Sequence, residues 1–232
     1  MIGRLDLAMY VRAVPLLARH LSILAVPLLA AVVDVLFGRV TPLLTDATGG
    51  LGAGAFALLV QLVYLWAFGV AIIQASNIWR GRRGSFDEAW DESRTKFGGI
   101  ALAAVGFQFV VWAASYIGSF LAPALGLALG AVAAFFLIYT IPAAAIGGMP
   151  GSLAISASVR GVRANVAASL ILAVVFFVLW YLVVPVGLPY LLQQLPPLAW
   201  QLVMAAVRAL ALAYLAFPFA KQYDDIAFTR FW

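Results

Sequence analysis

An arginine stands in the middle of a run that is otherwise apolar. Arg208 has LAWQLVMAAV before it, from Leu198, and ALALAYLAF after it, up to Phe217 and on to Phe219. A guanidinium cannot shed its charge, and at the centre of a bilayer it costs about 2.5–3.5 kcal/mol even on the lenient insertion scale. The helix that carries it must therefore turn it toward protein or water. Ala205, Ala209 and Ala213 recur at every fourth residue on the side of Arg208. Small residues at that spacing let a second backbone come close, so the other helices are expected to gather around this face.

Five more apolar runs precede it. Hydrophobic residues make up 66% of the 232 and charged residues 10%, with a mean hydropathy of +1.07. A soluble domain is nearer half apolar and a quarter charged, so the composition is that of a membrane protein. The expected spans are about 21–37, 51–79, 99–121, 124–147, 164–184 and 198–219, all within one membrane domain covering 1–232. The chain has no cysteine, which excludes disulfides, thiolate nucleophiles and Cys-based zinc sites. Its net charge of +5 points to nucleic acid only until the basic residues are placed. They lie in the breaks between apolar runs, so the expected partner is the lipid bilayer and no nucleic acid.

The breaks carry their own pattern. Residues 1–20 mix apolar positions with Arg4, Asp6, Arg12, Arg19 and His20; Arg12 and Arg19 share one helical face, with Leu5, Met9 and Leu16 on the other. Residues 80–96 (RGRRGSFDEAWDESRTK) open a helix with a capping box, Ser85 and Glu88, carry acids early and Arg94 and Lys96 late, and end at Gly98-Gly99. Phe86, Trp90 and Phe97 share its apolar face. Residues 147–163 are the next polar break, in which Ser152 can cap a third short helix ending in Arg160 and Arg163. All three read as amphipathic helices lying in the headgroup region. Pro27 is expected to kink the first span, Gly38–Gly50 to be a loop, and Lys221–Trp232 a tail. Gly126-x-x-x-Gly130 gives the fourth span a close-packing face, for a neighbouring helix or for a second copy of the chain.

Of the 14 Lys and Arg residues, all but Arg39 and Arg208 fall in the N-terminal segment, the two charged breaks and the tail. Positive charge stays inside, so both termini are expected in the cytoplasm and the protein in the cell membrane. Trp180, Tyr181, Tyr190 and Trp200 would then mark the outer interface, and Trp79, Trp90 and Tyr223 the inner one. Three times the chain runs interfacial helix, span up, tight turn, span down. The expected fold is all-α: a six-helix bundle with three cytoplasmic interfacial helices and a threefold repeat of parallel units.

The stretch IPAAAIGGMPGSLAISASVRGVRANVAASLILAVV resembles the fourth-to-fifth-span region of a prokaryotic family of six-span membrane proteins. These are similar to the membrane domain attached to some glycerophosphodiester phosphodiesterases. The matching features are the Gly/Pro break Gly147–Gly151, the Ser/Ala-rich helix Ser152–Ser158, Arg160, and Asn165 leading into the next span. GSFDEAWDESRTKFGGI resembles an earlier copy of that element, and FPFAKQYDDIAFTRF its closing Tyr-Asp segment. The resemblance implies a six-span fold and no activity, since the chain contains no phosphodiesterase domain.

Catalytic constellations are sparse. His20, the single histidine, reads as a polar surface residue. The acids of 87–92 read as a solvated helix face and not as metal ligands. GGLGAG at 49–54 lacks the preceding strand and the following Lys-Ser/Thr of a phosphate loop. No cofactor and no metal site is expected. The remaining candidate lies inside the membrane: Arg208, Asp34 near the outer end of the first span, Gln61 and Tyr64 in the second. If their helices adjoin, they form one polar cluster, serving as a structural ion pair, an anion or substrate site, or a contact with a partner. The leading expectation is a non-catalytic scaffold, lipid-organising protein or accessory subunit of a membrane complex. The alternative is a small transporter or substrate-binding subunit built around Arg208. Cysteine labelling checks the orientation on this Cys-free background: Ser85→Cys should react from the cytoplasmic side and Thr45→Cys from the other, and labelling of both from one side would overturn it.

Overall fold

The structure, a computed structural model, describes residues 6–48, 50–187 and 196–228, and among them the regular elements are all helices. A short helix α1 (Ala8–Arg19) and a 3-10 turn (Leu21–Leu24) lead into α2 (Ala25–Thr48) and α3 (Gly50–Trp79). Then follow α4 (Phe86–Thr95), α5 (Phe97–Ser119), α6 (Pro123–Phe136), α7 (Thr140–Ala145), α8 (Gly151–Ala164) and α9 (Val166–Phe177). A π-helical segment (Val178–Gly187) extends α9, and α10 (Pro197–Phe228) closes the chain. Six stretches are long and apolar enough to cross a membrane: 21–43, 54–79, 97–119, 123–145, 166–184 and 199–227. The chain is a multi-pass helical membrane protein. The residues expected at Leu5, Arg4, Gly49 and Tyr190 lie outside the described residues.

α3 and α10 form the centre, with Val70, Ile72, Leu215, Ala216 and Phe217 all but fully enclosed. α2 lies against α10 through Ala31, Ala205 and Ala209, with Val35 beside them. This is the close approach that the alanine spacing foretold. α5 and α6 form a hairpin on the outside, presenting Leu102, Phe109, Phe120 and Leu127 outward. Gly126 and Gly130 are used within the chain: a Cβ at either would collide with Ser119 or Ser115 of α5.

Several elements depart from the sequence expectation, and the extension of α2 has a cause in the membrane environment. In hydrocarbon a helix satisfies every backbone group and a loop does not, so helices run on through residues that break them in water. α2 continues through Gly38 to Thr48 with Pro42 inside it, where a loop was expected; the Thr41 and Thr45 hydroxyls bond the carbonyls of Phe37 and Thr41 one turn back, at 2.8 and 2.9 Å. Pro27 sits in the first turn of α2, where a missing N–H leaves no intrahelical bond unmade, and not at a mid-span kink. α10 likewise carries Pro218 and absorbs the expected tail as far as Phe228. α4 ends at Lys96, and Gly98 and Gly99 belong to the first turn of α5. α8 begins after Pro150 without a side-chain cap, so Ser152 is an exposed helical residue and no cap. The expected N-cap of α4 is present: Ser85 Oγ accepts from Glu88 N at 3.3 Å. α1 buries Met9, Ala13 and Leu17 rather than Leu16, on a face offset from the one expected.

The fourth span is broken. Between α6 and α7 the chain turns at Leu137–Tyr139, with Pro142 just beyond. Ser158 of α8 enters the break, accepting from Tyr139 N–H and donating to Phe136 C=O, each at 2.9 Å. It is fully buried, so α8 is keyed into the bundle by a polar side chain. Lys96 Nζ completes the end of the span by donating to Ala145 C=O at 2.8 Å. A cation at the last carbonyls of a helix is also where the dipole favours it. Ser158→Ala should strand two backbone groups at the break and lower stability by about 1–3 kcal/mol. Ser152→Ala, on the exposed start of the same helix, should stay within about 0.5 kcal/mol. Thermal unfolding of the two variants in detergent checks the contrast.

Candidate functional site

Antiparallel packing of α2 and α10 decides where the charges meet. Ala31 lies one turn before Asp34, and Ala205 and Ala209 bracket Arg208, so the close contact of these alanines sets the two side chains face to face. Arg208 Nη1 donates to Asp34 Oδ2, forming an ion pair. α3 contributes Tyr64, whose hydroxyl donates to the same Oδ2 at 3.0 Å. Three helices that are remote in sequence are thus tied at one carboxylate. Asp34 is not near the end of its helix, as the sequence suggested. With α2 running to Thr48, it stands near the middle of the 21–43 stretch.

The pair is not sealed. The side chains of Arg208 and Asp34 are 37% and 24% exposed. On the α3 side lies a cleft of about 430 Å³, walled by Phe37, Phe56, Val60, Gln61, Trp180 and Val184. On the far side lies a smaller cavity of about 200 Å³, lined by Trp200, Gln201, Met204 and Ala205. Asp34, Gly38 and Arg208 border both, so the two cavities adjoin at the ion pair. Along α3 the cleft follows Phe56, Val60 and Tyr64, two turns or about 12 Å at 1.5 Å per residue. It is an elongated apolar trough with the only fixed charges at its inner end among the described residues lining it.

The sequence-predicted set is brought together unevenly. Asp34, Tyr64 and Arg208 form one bonded triad; Gln61 shares the cleft wall from an exposed position. Arg208 is half-buried, less enclosed than the sequence suggested. Two of the residues read as outer-interface anchors also line the site. Trp180 packs edge-on against Tyr64, with ring centroids 5.6 Å apart, and Trp200 lines the smaller cavity. The side chain of Tyr181 lies outside what is described. Arg39, read as a loop residue, stays on α2 and places Nη2 3.5 Å from Gln201 Oε1. The spacing of Phe56, Val60 and Tyr64 on one face of α3 was visible in the sequence, yet it does not separate a cavity wall from a packed core.

A second polar group lies at the charged end of the bundle. Tyr139, fully buried, bonds Ser169 Oγ at 2.9 Å and accepts from Gln222 Nε2 at 2.7 Å. Nearby, Arg80 grips Asp224 with two bonds of 2.8 and 3.2 Å, and Ser76 joins the same carboxylate. Tyr223, expected at the inner interface, is buried there, its hydroxyl 2.4 Å from where a Cβ on Gly147 would stand. Burial pushes the Tyr10 hydroxyl well above its ordinary pKa, with Tyr214 adding to the shift, so Tyr10 stays neutral. These contacts clamp helix ends. Among the described residues no cluster of His, Asp or Glu could hold a metal, and His20 closes the C-terminus of α1. No family model, curated protein or solved structure matches the chain.

Removing one half of the pair should cost more than removing both. Arg208→Ala leaves Asp34 without its cation, and a loss of about 1–3 kcal/mol is expected, below the 3–5 kcal/mol of a fully buried pair because this one is partly exposed. Arg208→Met with Asp34→Asn should recover most of that loss. Unfolding titrations of the single and double variants read the coupling; additive losses would deny that the two residues act together.

Proposed function

We propose that the protein is a non-catalytic integral membrane protein that binds an anionic solute at Arg208, as a small transporter or the substrate-binding subunit of one. One observation carries the reading: an arginine inside a membrane span is left more than a third exposed, facing a cleft of about 430 Å³. That volume lies in the range of small-molecule sites, which are mostly apolar with a few convergent polar groups. Binding between helices near mid-span is the arrangement of many transporters. The competing reading, a scaffold, lipid-organising protein or accessory subunit, gives the two cavities no task, and the solute-binding reading is preferred for that reason.

The setting follows the same reading. The bias of basic residues supports both termini in the cytoplasm of a cell-membrane protein, with the cleft in the outer half. The short helices α1, α4 and α8 each precede a pair of spans, which supports interfacial helices and a threefold repeated layout. The likeness to the membrane domain of glycerophosphodiester phosphodiesterases rests on that layout and on the α8–α9 segment, where Asn165 Oδ1 caps α9 through Ala168 N at 3.2 Å.

Thermal stability of the purified chain in detergent, measured across a panel of inorganic and organic anions, tests the proposal. An anion at 100 times its Kd should stabilise the folded state by about 2.7 kcal/mol. The effect should vanish in the Arg208→Met, Asp34→Asn double variant. If no anion gives a response that depends on Arg208, the proposal falls.

A further inference from the structure

The site's charges limit what can enter it. Asp34 already occupies Arg208, so an incoming acid group must share the guanidinium with a carboxylate or take its place. Among the described residues, the charged and titratable groups facing Asp34 are Arg208 from α10 and Tyr64 from α3. The π-helical segment presents Trp180 and Val184 to the cleft and adds no charge. Arg39, further along α2, is exposed and turned toward Gln201. The empty site is therefore neutral: one cation, one anion. A bound anion would leave two negative charges against one positive, inside a low-dielectric span. An unpaired charge there is strongly unfavourable, because it loses its hydration without gaining a partner. Asp34 is the group that can remove that excess, by taking up a proton.

The walls say what kind of acid fits. Phe37, Phe56, Val60, Trp180 and Val184 surround the route to Arg208. A bare hydrated anion would give up water to them and gain only its contacts with Arg208 and polar wall groups such as Gln61. An acid with an apolar body would gain by burying that body against these walls and would place its charged end on Arg208. Resting on the anion-binding reading above, we infer that the cleft takes a compact organic anion with an apolar body together with one proton. The anion goes to Arg208 and the proton to Asp34. One O–H bond forms on the Asp34 carboxyl, the Arg208–Asp34 pair is exchanged for an Arg208–ligand pair, and the net charge of the site is unchanged. Since Asp34 borders both cavities, the same exchange takes place where they adjoin. Tyr64, bonded to the oxygen that Arg208 contacts, holds the freed carboxyl in place.

Calorimetry on the purified full chain tests this with benzenesulfonate, a permanent anion with an aromatic body, so that any proton taken up belongs to the protein. Benzenesulfonamide supplies the neutral counterpart, and inorganic sulfate the anion without the body. Titrations in two buffers of different ionisation enthalpy count protons. The expected result is binding of benzenesulfonate alone, with about one proton taken up per anion. Affinity should fall about tenfold for each unit by which the pH is raised where the coupling is complete. Asp34→Asn should bind with no proton uptake and no pH dependence, and more tightly, because its internal competitor is gone. Arg208→Gln should not bind; Arg208→Gln with Asp34→Asn, which removes both charges, guards against a misfolded single variant and should not bind either. Binding that requires Arg208 without proton uptake overturns the coupling and leaves the anion site standing. Sulfate binding as tightly as benzenesulfonate overturns the apolar class alone. Binding of the sulfonamide, or none that depends on Arg208, overturns both this inference and the reading on which it rests.

Discussion

A charge that cannot be neutralised, placed inside a membrane span, is the constraint to which the rest of this bundle answers. Arg208 needs an anion, and Asp34 is the acid that meets it. The meeting requires α2 and α10 to approach closely, which in turn requires alanines at 31, 205 and 209. Tyr64 then fixes α3 to the same carboxylate. The order of dependence runs from charge to packing: three helices are held in register by one oxygen, and the small residues are what make that register reachable.

The fold was legible from the sequence to the degree that it follows from transfer energies. Six apolar runs, the Ser85 cap and the alanine face around Arg208 all stand where hydrophobicity and side-chain size place them. Punctuation misled wherever it relied on rules learned in water. Gly38, Pro42 and Gly98-Gly99 read as breaks, yet helices pass through or begin at them. In water a broken helix hydrogen-bonds solvent; in hydrocarbon it must find protein. For the site, Arg208 with Asp34 was visible because the energetic argument leaves an intramembrane arginine few options. The cleft was not visible, because Trp180 and Trp200 fit an interface belt equally well in one dimension.

The breaks that do occur show how strict that requirement is. Where α6 stops, Ser158 arrives from another helix to bond both a donor and an acceptor. Lys96 reaches the last turn of α7. The widened turns after Phe177 contain Pro185, whose missing N–H removes one helical bond. Irregular backbone is thus matched by a protein partner at the first two of these positions. α8 owes its place to this as much as to amphipathicity, since a fully buried Ser158 requires the helix to press into the bundle.

The position of the ion pair between two cavities also bears on why the pair is polar at all. A well-packed apolar replacement of similar volume is often as stable as a buried ion pair, so helix association alone does not call for Arg208 and Asp34. What an apolar contact cannot do is exchange one acid for another. On the proposed reading, discharge of Asp34 by a proton gives the pair two states of similar charge, one with Asp34 on Arg208 and one with a ligand there. Tyr64 and the alanine contacts hold the backbone steady through either state, because none of them depends on which acid the guanidinium faces. The exchange proposed above would then involve a few side-chain atoms, with the helices that frame them held by contacts it leaves in place.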